Sequence, residues 1–512
     1  MSATTDIIDC LDENLSPEAT YRRILSIHET HNGSNILYPP NRNIKIAFDA
    51  SGDTSINLNN ETDFNNCTFE ITGSFNNPGT KQPFLFSVLG NSFGSIFIDK
   101  REIDSGDFSK TVDFPEGLCL LKIEDQSPFT IYHPATNLPS LKFRSDILLV
   151  DDKRAINRVI APYDNSESIP IATYKQIGTS NPIVIKNVTI IRTASLTRKC
   201  HVLQIQRKND IHLENIQVET LPPSSGSIFT GDSCISISDS TNVTLKDIEI
   251  NGTYSQTNQF GYGLNFTNIW NLHLENIVAT DSNWGVTCGY NLNHVTLKDC
   301  HLNRLDLHLY GRDFYCEGCT FENTNAAALS ASRHNINRFG GLFGYVRYKA
   351  CVFEGFTPLR IDWEFQLYTP FDLIFESCTI KLKSDMLYLI EPGNLNPSED
   401  HFIQSLNKIY WPNISMEECQ FVLPENTASN IEIPLFYLRN TPDLDLHIEG
   451  LYCLRFHNMK SNKQVKMIFC NYPVLTANTV YTRRTEKQGN TMTFFAEDLG
   501  FPNDFVIVQT SI

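Results

Sequence analysis

One short pattern recurs down the chain and leaves few folds open to it. Apolar and polar residues alternate over a strand's length, an Asn or Asp interrupts, and the alternation resumes behind an Ile, Val or Cys. Clear copies are Ile183–Ile190, Ile211–Val218, Val243–Ile250, Leu272–Ala279 and Val295–Leu302. Looser copies follow at Phe314–Phe321, Val346–Phe353, Leu373–Ile380 and Ile414–Phe421, with an early candidate at Asn66–Phe69. The residue behind the interruption runs Val188, Ile216, Ile248, Ile277, Cys300, Cys319, Cys351, Cys378 and Cys419. The gaps between them are 28, 32, 29, 23, 19, 32, 27 and 41 residues. Units of roughly 20–30 residues joined by loops of variable length mark a solenoid.

The alternation predicts half-buried strands. The interrupting residue is Asn187, Asn215, Asp247, Asn276 or Asp299 in the clear copies. Asn and Asp tolerate the left-handed backbone conformation that a tight corner needs. Stacked corners then form a ladder of side-chain amides. The expected fold is all-β: a right-handed parallel β-helix in which each coil bends once at this corner and continues. The Cys positions of the column read as small buried hydrophobes rather than ligands or disulfides. Fourteen cysteines in 512 residues fall well short of disulfide-scaffold density. Cys316 and Cys319 make a Cys-x-x-Cys inside one repeat, but no second pair matches it. No cofactor and no metal is expected.

Net charge is −17. Nonspecific nucleic-acid binding needs basic residues to neutralise phosphates, so a nucleic-acid partner is not expected. No segment approaches the ~20 apolar residues of a membrane span. Met1–Asn14 has no basic region followed by an apolar run, so no secretory signal is read there.

Residues 1–34 read as an N-terminal helical cap, with helix over about 6–32, and 35–440 as the β-helix. Within it, 70–180 is β-rich but irregular: early coils with long insertions, or a small inserted subdomain. Residues 441–512 read as a β-structured cap or an oligomerisation element, since open coil ends template strand addition.

The strand after each repeat presents the candidate site. Alternation in Arg304-Leu-Asp-Leu-His-Leu-Tyr310 puts Leu305, Leu307 and Leu309 inside and Arg304, Asp306, His308 and Tyr310 outside. In Arg360-Ile-Asp-Trp-Glu-Phe365, Arg360, Asp362 and Glu364 point out. In register, Asp306 and Asp362 would lie two rungs apart, about 9–10 Å from strand spacing. That is the upper edge of the roughly 6.5–9.5 Å an inverting glycosidase leaves between acid and base. Asp362 and Glu364 are a nearer pair. A lyase would use Arg304, Arg360 or Arg333 near a uronate carboxylate.

Equivalent strands offer Gln204, Gln206, Ser236, Ser238, Asn265, Thr267, Ser330 and Ser332 outward, a polar strip along the axis. Trp284, Tyr290 and Tyr310 offer faces for sugar rings. The loop Ser332–Gly341 is placed to fold over the charged coils. The bland alternative is an exposed salt-bridge ladder of Arg304 and Arg360 with Asp306, Asp362 and Glu364.

The segments Arg304–His308, Glu317–Thr320, Gly340-Gly341 with Ala350-Cys351, and Arg360–Asp362 resemble those of β-helical structural proteins of bacteriophages and prophages. The wider outline, a short helix followed by Gly33–Pro40 and the coils, resembles tailspikes and pectate-lyase-like proteins. The resemblance implies a virion tail appendage made in the bacterial host cytoplasm. It also implies a homotrimer, with other tail proteins and a bacterial surface polysaccharide as partners. On this reading the chain binds the polysaccharide, with depolymerisation left open. Asp306, Asp362, Glu364 and His308 are the catalytic candidates, and Arg304, Tyr310, Arg333, Arg360 and Trp284 the binding candidates. A stand-alone polysaccharide lyase or glycoside hydrolase, and a purely structural spike, are the alternatives.

Overall fold

The computed structural model describes residues 4–6, 14–47, 55–58, 61–72, 84–132, 139–159, 163–164, 168–178, 181–192, 201–221, 233–251, 262–279, 286–322, 335–339, 342–355, 357–361, 371–382, 390–392, 409–410, 413–425, 430–434, 448–449, 454–457, 459–461, 464–468, 485–488, 491–495 and 505–509. Their main sheet has 26 strands. Each coil pairs in parallel with the next, as in Ile183↔Ile211, Ile211↔Val243, Val243↔Leu272 and Leu272↔Val295. The result is a right-handed parallel β-helix, the hand that crossover connections between parallel strands take almost always.

The corner column forms as the repeat demands. Asn187, Asn215, Asp247, Asn276 and Asp299 all have φ between 52° and 63°. The column continues through Gly318, Ala350, Ser377 and Glu418, also at positive φ. Asn187 Nδ2 donates to Asp63 Oδ1 (2.9 Å), Asn215 Nδ2 to Asn187 Oδ1 (2.9 Å) and Asn276 Nδ2 to Asp247 Oδ1 (2.6 Å). Two further ladders mark two further corners. One runs Asp210, Asn242, Asn271 and the other Asp239, Asn268, Asn291, each rung bonded at 2.7–3.0 Å. Three corners divide a coil into a first sheet before the Asn187 corner, a second sheet after it, and a third sheet across a variable loop. Valine at Asn215 should therefore cost about 2–3 kcal/mol: roughly 1–2 for a β-branched residue in the left-handed region and about 1 for ladder bonds lost. Thermal unfolding should show it, with Asn215→Gly milder.

Inside, each strand contributes alternate apolar residues to one continuous core. It includes Phe69, Ile190, Val218 and Ile250 on the second sheet and Ile205, Ile237 and Phe266 on the third. Cys67, Cys300, Cys319, Cys351, Cys378 and Cys419 are buried free thiols. They sit in the column with Val188 and Ile216, since Cys67 pairs with Val188 and Val188 with Ile216. Burial pushes the Cys316 thiol beside them well up, so it is a neutral hydrophobe.

The cap helix is shorter than the sequence suggests. It spans Pro17–Thr30, started by Ser16, whose Oγ accepts from Ala19 N–H at 3.3 Å, and by Pro17 in the first turn. Thr4–Asp6 before it is a strand that pairs with Asn35–Leu37. Tyr21, Ile24, Ile27 and His28 face the first coils and are buried. His28 Nε2 lies 2.8 Å from the Tyr38 hydroxyl.

Strand Phe84–Leu89 and strand Ile183–Arg192 flank an inserted unit. Its strands Arg154–Ala155, Pro139–Asp151, Cys119–Tyr132, Ile171–Gln176 and Gly94–Ile96 form an antiparallel sheet in that order. A separate core of Ile103, Phe108, Phe114, Leu121 and Leu148 holds it together. Near the C-terminus, strands Asn430–Pro434, Gln464–Ile468, Phe505–Gln509, Thr491–Phe495 and Thr485–Gln488 form another five-stranded sheet.

Candidate functional site

The outer faces of the sheets differ in chemistry. On the first sheet, ion pairs run from rung to rung: Lys186 with Glu61, Lys349 with Glu317 and Arg347 with Glu376, each at 2.8 Å. The second sheet carries Lys381–Glu354 and His301–Glu322 at 3.1 Å. These are the solvated ladders expected of an exposed sheet. The third sheet is different. Its register stacks Asn57, Ser87, Gln204, Ser236 and Asn265 in one row. Gln206, Ser238, Thr267 and Tyr290 make a parallel row two residues on. All are neutral and half-buried except Ser87, which is buried. The rows offer one set of neutral donors and acceptors per rung, about 4.8 Å apart.

The first row continues through Cys288, Asp306, Arg338, Arg360 and Glu391. This register corrects the expected one. Two rungs from Asp306 stands Arg360, not Asp362, with Arg338 between them. Arg338 escapes the sequence pattern, because Asn335–Phe339 is a strand and not a loop over the site. Its inward residue is polar and hides the alternation. Asn337 is fully buried, accepts from Leu305 N–H at 2.9 Å and donates to the Tyr348 hydroxyl at 3.3 Å.

Burial corrects the expected exposure of this coil. Arg304, Asp306 and Tyr310 are 3 %, 0 % and 2 % exposed rather than facing solvent. Arg304 and Asp306 form a buried ion pair at 3.3 Å, so the pairing of the bland alternative exists here, but desolvated. Irregular register breaks the alternation at Tyr310. The step from Val286↔Leu305 to Cys288↔Asp306 leaves an extra residue at Thr287, and the step from Gly289↔Leu307 to Tyr290↔Leu309 leaves one at His308. A bulge flips parity only beyond it on its own strand, so the one at His308 moves Tyr310, while Asp306 before it keeps its place in the outward row. Tyr310 thereby falls in line with the corner residue Asn291, since Leu292 pairs with Gly311, and it packs 6.2 Å from the Phe343 ring. It offers no open ring face.

The inserted unit docks along this corner. Asn291 Nδ2 donates to Ser145 Oγ at 2.6 Å and Arg312 Nη2 to the Arg158 carbonyl at 2.7 Å. Trp270 packs with Leu120 and Ile147. Behind the contact, the Tyr163 hydroxyl donates to Asp146 Oδ2 at 2.9 Å, and the Arg144 guanidinium lies 3.8 Å from the centre of the Tyr163 ring. Burial, then the Asp146 charge, pushes the Tyr163 hydroxyl well above its usual range. The insert thus walls one side of the third sheet.

Asp362, Glu364, Arg333 and Trp284, with Ser330 and Ser332, lie outside the described residues. His308 and Arg360 are placed on strands.

No protein-family model matches the sequence, and no curated protein matches it. Solved structures do. One is the tailspike protein gp49 from Pseudomonas phage LKA1, at 10% identity and TM-score 0.39, over 89% of this chain and 74% of that one. Another is the Gp54 tailspike of Acinetobacter baumannii bacteriophage AP22, in complex with A. baumannii capsular saccharide. It matches at 11% identity and TM-score 0.43, over 94% of this chain and 79% of that one. A third is XylC in complex with xylose, at 6% identity and TM-score 0.24, over 84% and 85%. At these values the likeness concerns fold alone, and the β-helix itself rests on the strand register above.

Proposed function

We propose that this chain is a bacteriophage or prophage tail appendage that holds a bacterial surface polysaccharide along its third sheet. The observation that carries the binding site is the contrast between faces. The first and second sheets carry ion pairs between rungs, whereas the third carries two rows that stay neutral from Asn57 to Asn265 and from Gln206 to Tyr290. A sugar polymer offers hydroxyls along its length, and one polar rung after another suits it. Tyr290, half-buried in the second row, adds an apolar ring for a sugar face. By backbone register Arg338, Arg360 and Glu391 follow in the first row.

Binding without cleavage by Asp306 is the reading favoured. A carboxylate with no exposed surface and a guanidinium at 3.3 Å supports the coil rather than protonating a glycosidic oxygen. The tail location, the homotrimer and the other tail proteins rest on the motif resemblance.

The test is affinity for surface polysaccharide from the strain the protein adsorbs to. Neutral hydrogen bonds contribute about 0.5–1.5 kcal/mol each, so Gln204→Ala with Asn265→Ala should weaken binding roughly tenfold or more. Lys349→Ala, on the first sheet, should leave it unchanged. Equal affinity for all three proteins would remove the third sheet as the binding face. Falling viscosity of the polymer would show cleavage, and rising ultraviolet absorbance with it would mark a lyase.

A further inference from the structure

We propose that Lys175, Arg207 and Lys208 form a subsite for an anionic group of the bound polymer, a carboxylate or a phosphate, at the rim of the third sheet. The inference rests on the polysaccharide reading above and names the chemistry of its ligand.

Three elements bring the cations together. Arg207 directly follows Gln206, an outward residue of the polar rows, and turns the chain at φ 57°. Lys208 comes next, its N–H donating to Ser240 Oγ at 3.2 Å. Lys175 arrives from the inserted unit on strand Ile171–Gln176, and its Nζ donates to the Arg207 carbonyl. Gly90, where the insert leaves the third sheet, makes the approach possible. Its N–H donates to the Gln206 carbonyl at 2.8 Å, and a Cβ there would lie 1.7 Å from the Arg207 oxygen.

The cluster runs against the chain's character. Net charge is −17, and the lysines and the arginine of the outer ladders face carboxylates. Among the described residues, no ion pair forms on Lys175, Arg207 or Lys208, and the buried Arg207 Nε–H has no hydrogen-bond partner. One opposing charge, that of Asp239, acts on Lys175 more weakly than Lys208 and Arg207 do, and the Asp239 carboxylate also accepts from Asn268 Nδ2 at 2.7 Å. Burial, then the charges of Lys208 and Arg207, holds the Lys175 ammonium down at about 8, and burial lowers Lys208 as well. Cations gathered half-buried and mutually repelling lose that penalty when an anion arrives. The place matters too: an acid group on a polymer lying in the Gln206 row meets this rim without leaving the groove.

Lys175 itself supplies the readout, because near pH 8 its amine is partly neutral and open to acylation. The intact protein is acetylated at limiting reagent, and Lys175 modification is followed by peptide mass spectrometry. The competitors are inorganic phosphate, oligogalacturonate and a neutral galacto-oligosaccharide. Protection by phosphate alone assigns a phosphate group, by oligogalacturonate alone a carboxylate, and by both the shared anion chemistry. Lys208→Gln should abolish the protection. No protection by either anion, equal protection by the neutral sugar, or protection unchanged in Lys208→Gln overturns the subsite. Lys175→Gln with Lys208→Gln should also weaken binding of the host polysaccharide about tenfold, the size of a charge-assisted hydrogen bond. If that variant binds as wild type while the Gln204 and Asn265 variant does not, the anion subsite falls and the groove stands. If neither variant changes binding, both fall.

Discussion

Asp306→Ala is expected to destabilise the fold by about 3–5 kcal/mol, the usual loss when one partner of a buried pair is removed. Asp306 has no exposed surface, and the Arg304 side chain 3.3 Å away is 4 % exposed. Taking the carboxylate away leaves a guanidinium in a desolvated place without that countercharge. The penalty belongs to the orphaned charge, not to the pair. Arg304→Met with Asp306→Leu should therefore recover most of the loss, and a double-mutant cycle by chemical denaturation separates the two terms. Because coils contact mainly their neighbours, the damage should centre on the coil Leu305–Glu322. A loss below about 1 kcal/mol combined with abolished depolymerisation would instead make Asp306 a catalytic acid or base.

Acid should loosen the N-terminal cap. His28 is 2 % exposed, and its burial, assisted by the charge of His31, lowers its pKa from 6.5 to about 4. In the unfolded chain it takes a proton near 6.5. Between these values the unfolded state binds more protons, so stability is full above about 7 and falls as the pH drops towards 4. The whole effect is on the order of 3 kcal/mol. Hydrogen exchange across Pro17–Thr30 should speed up from pH 7 to pH 5, ahead of the coils. His28→Gln cannot titrate and should remove the acid sensitivity while still reaching Tyr38. Identical exchange of wild type and variant across that range would show that another group controls the cap.

The Asn187 column was legible because only a corner explains an Asn or Asp at one fixed place in alternating strands. The same register then carried the Cys column into the core. The left-handed corner persists at Gly318, which suits it, and at Ala350, Ser377 and Glu418, where the residue type gives no hint, since neighbouring coils impose the turn. The third sheet was legible as polar wherever alternation is unbroken, from Gln204 to Thr267. It failed at the charged coil for physical reasons: the extra residue at His308 flips parity beyond it, and Asn337 puts a polar group inside. Tyr310 consequently moved from an open face to a buried corner. Nor does local pattern reveal that residues distant in sequence cover a face. Ser145, Arg158 and Lys175 reach the coils only through the folded insert, so the burial of Asn291 and the Lys175 cluster had no local signature.

A crystal structure with an oligosaccharide of the host surface polymer tests the central claim most directly. The sugar chain should lie along the third sheet, within hydrogen-bonding distance of Gln204, Ser236 and Asn265. A saccharide seated on the first or second sheet, with those three side chains unliganded, would contradict it.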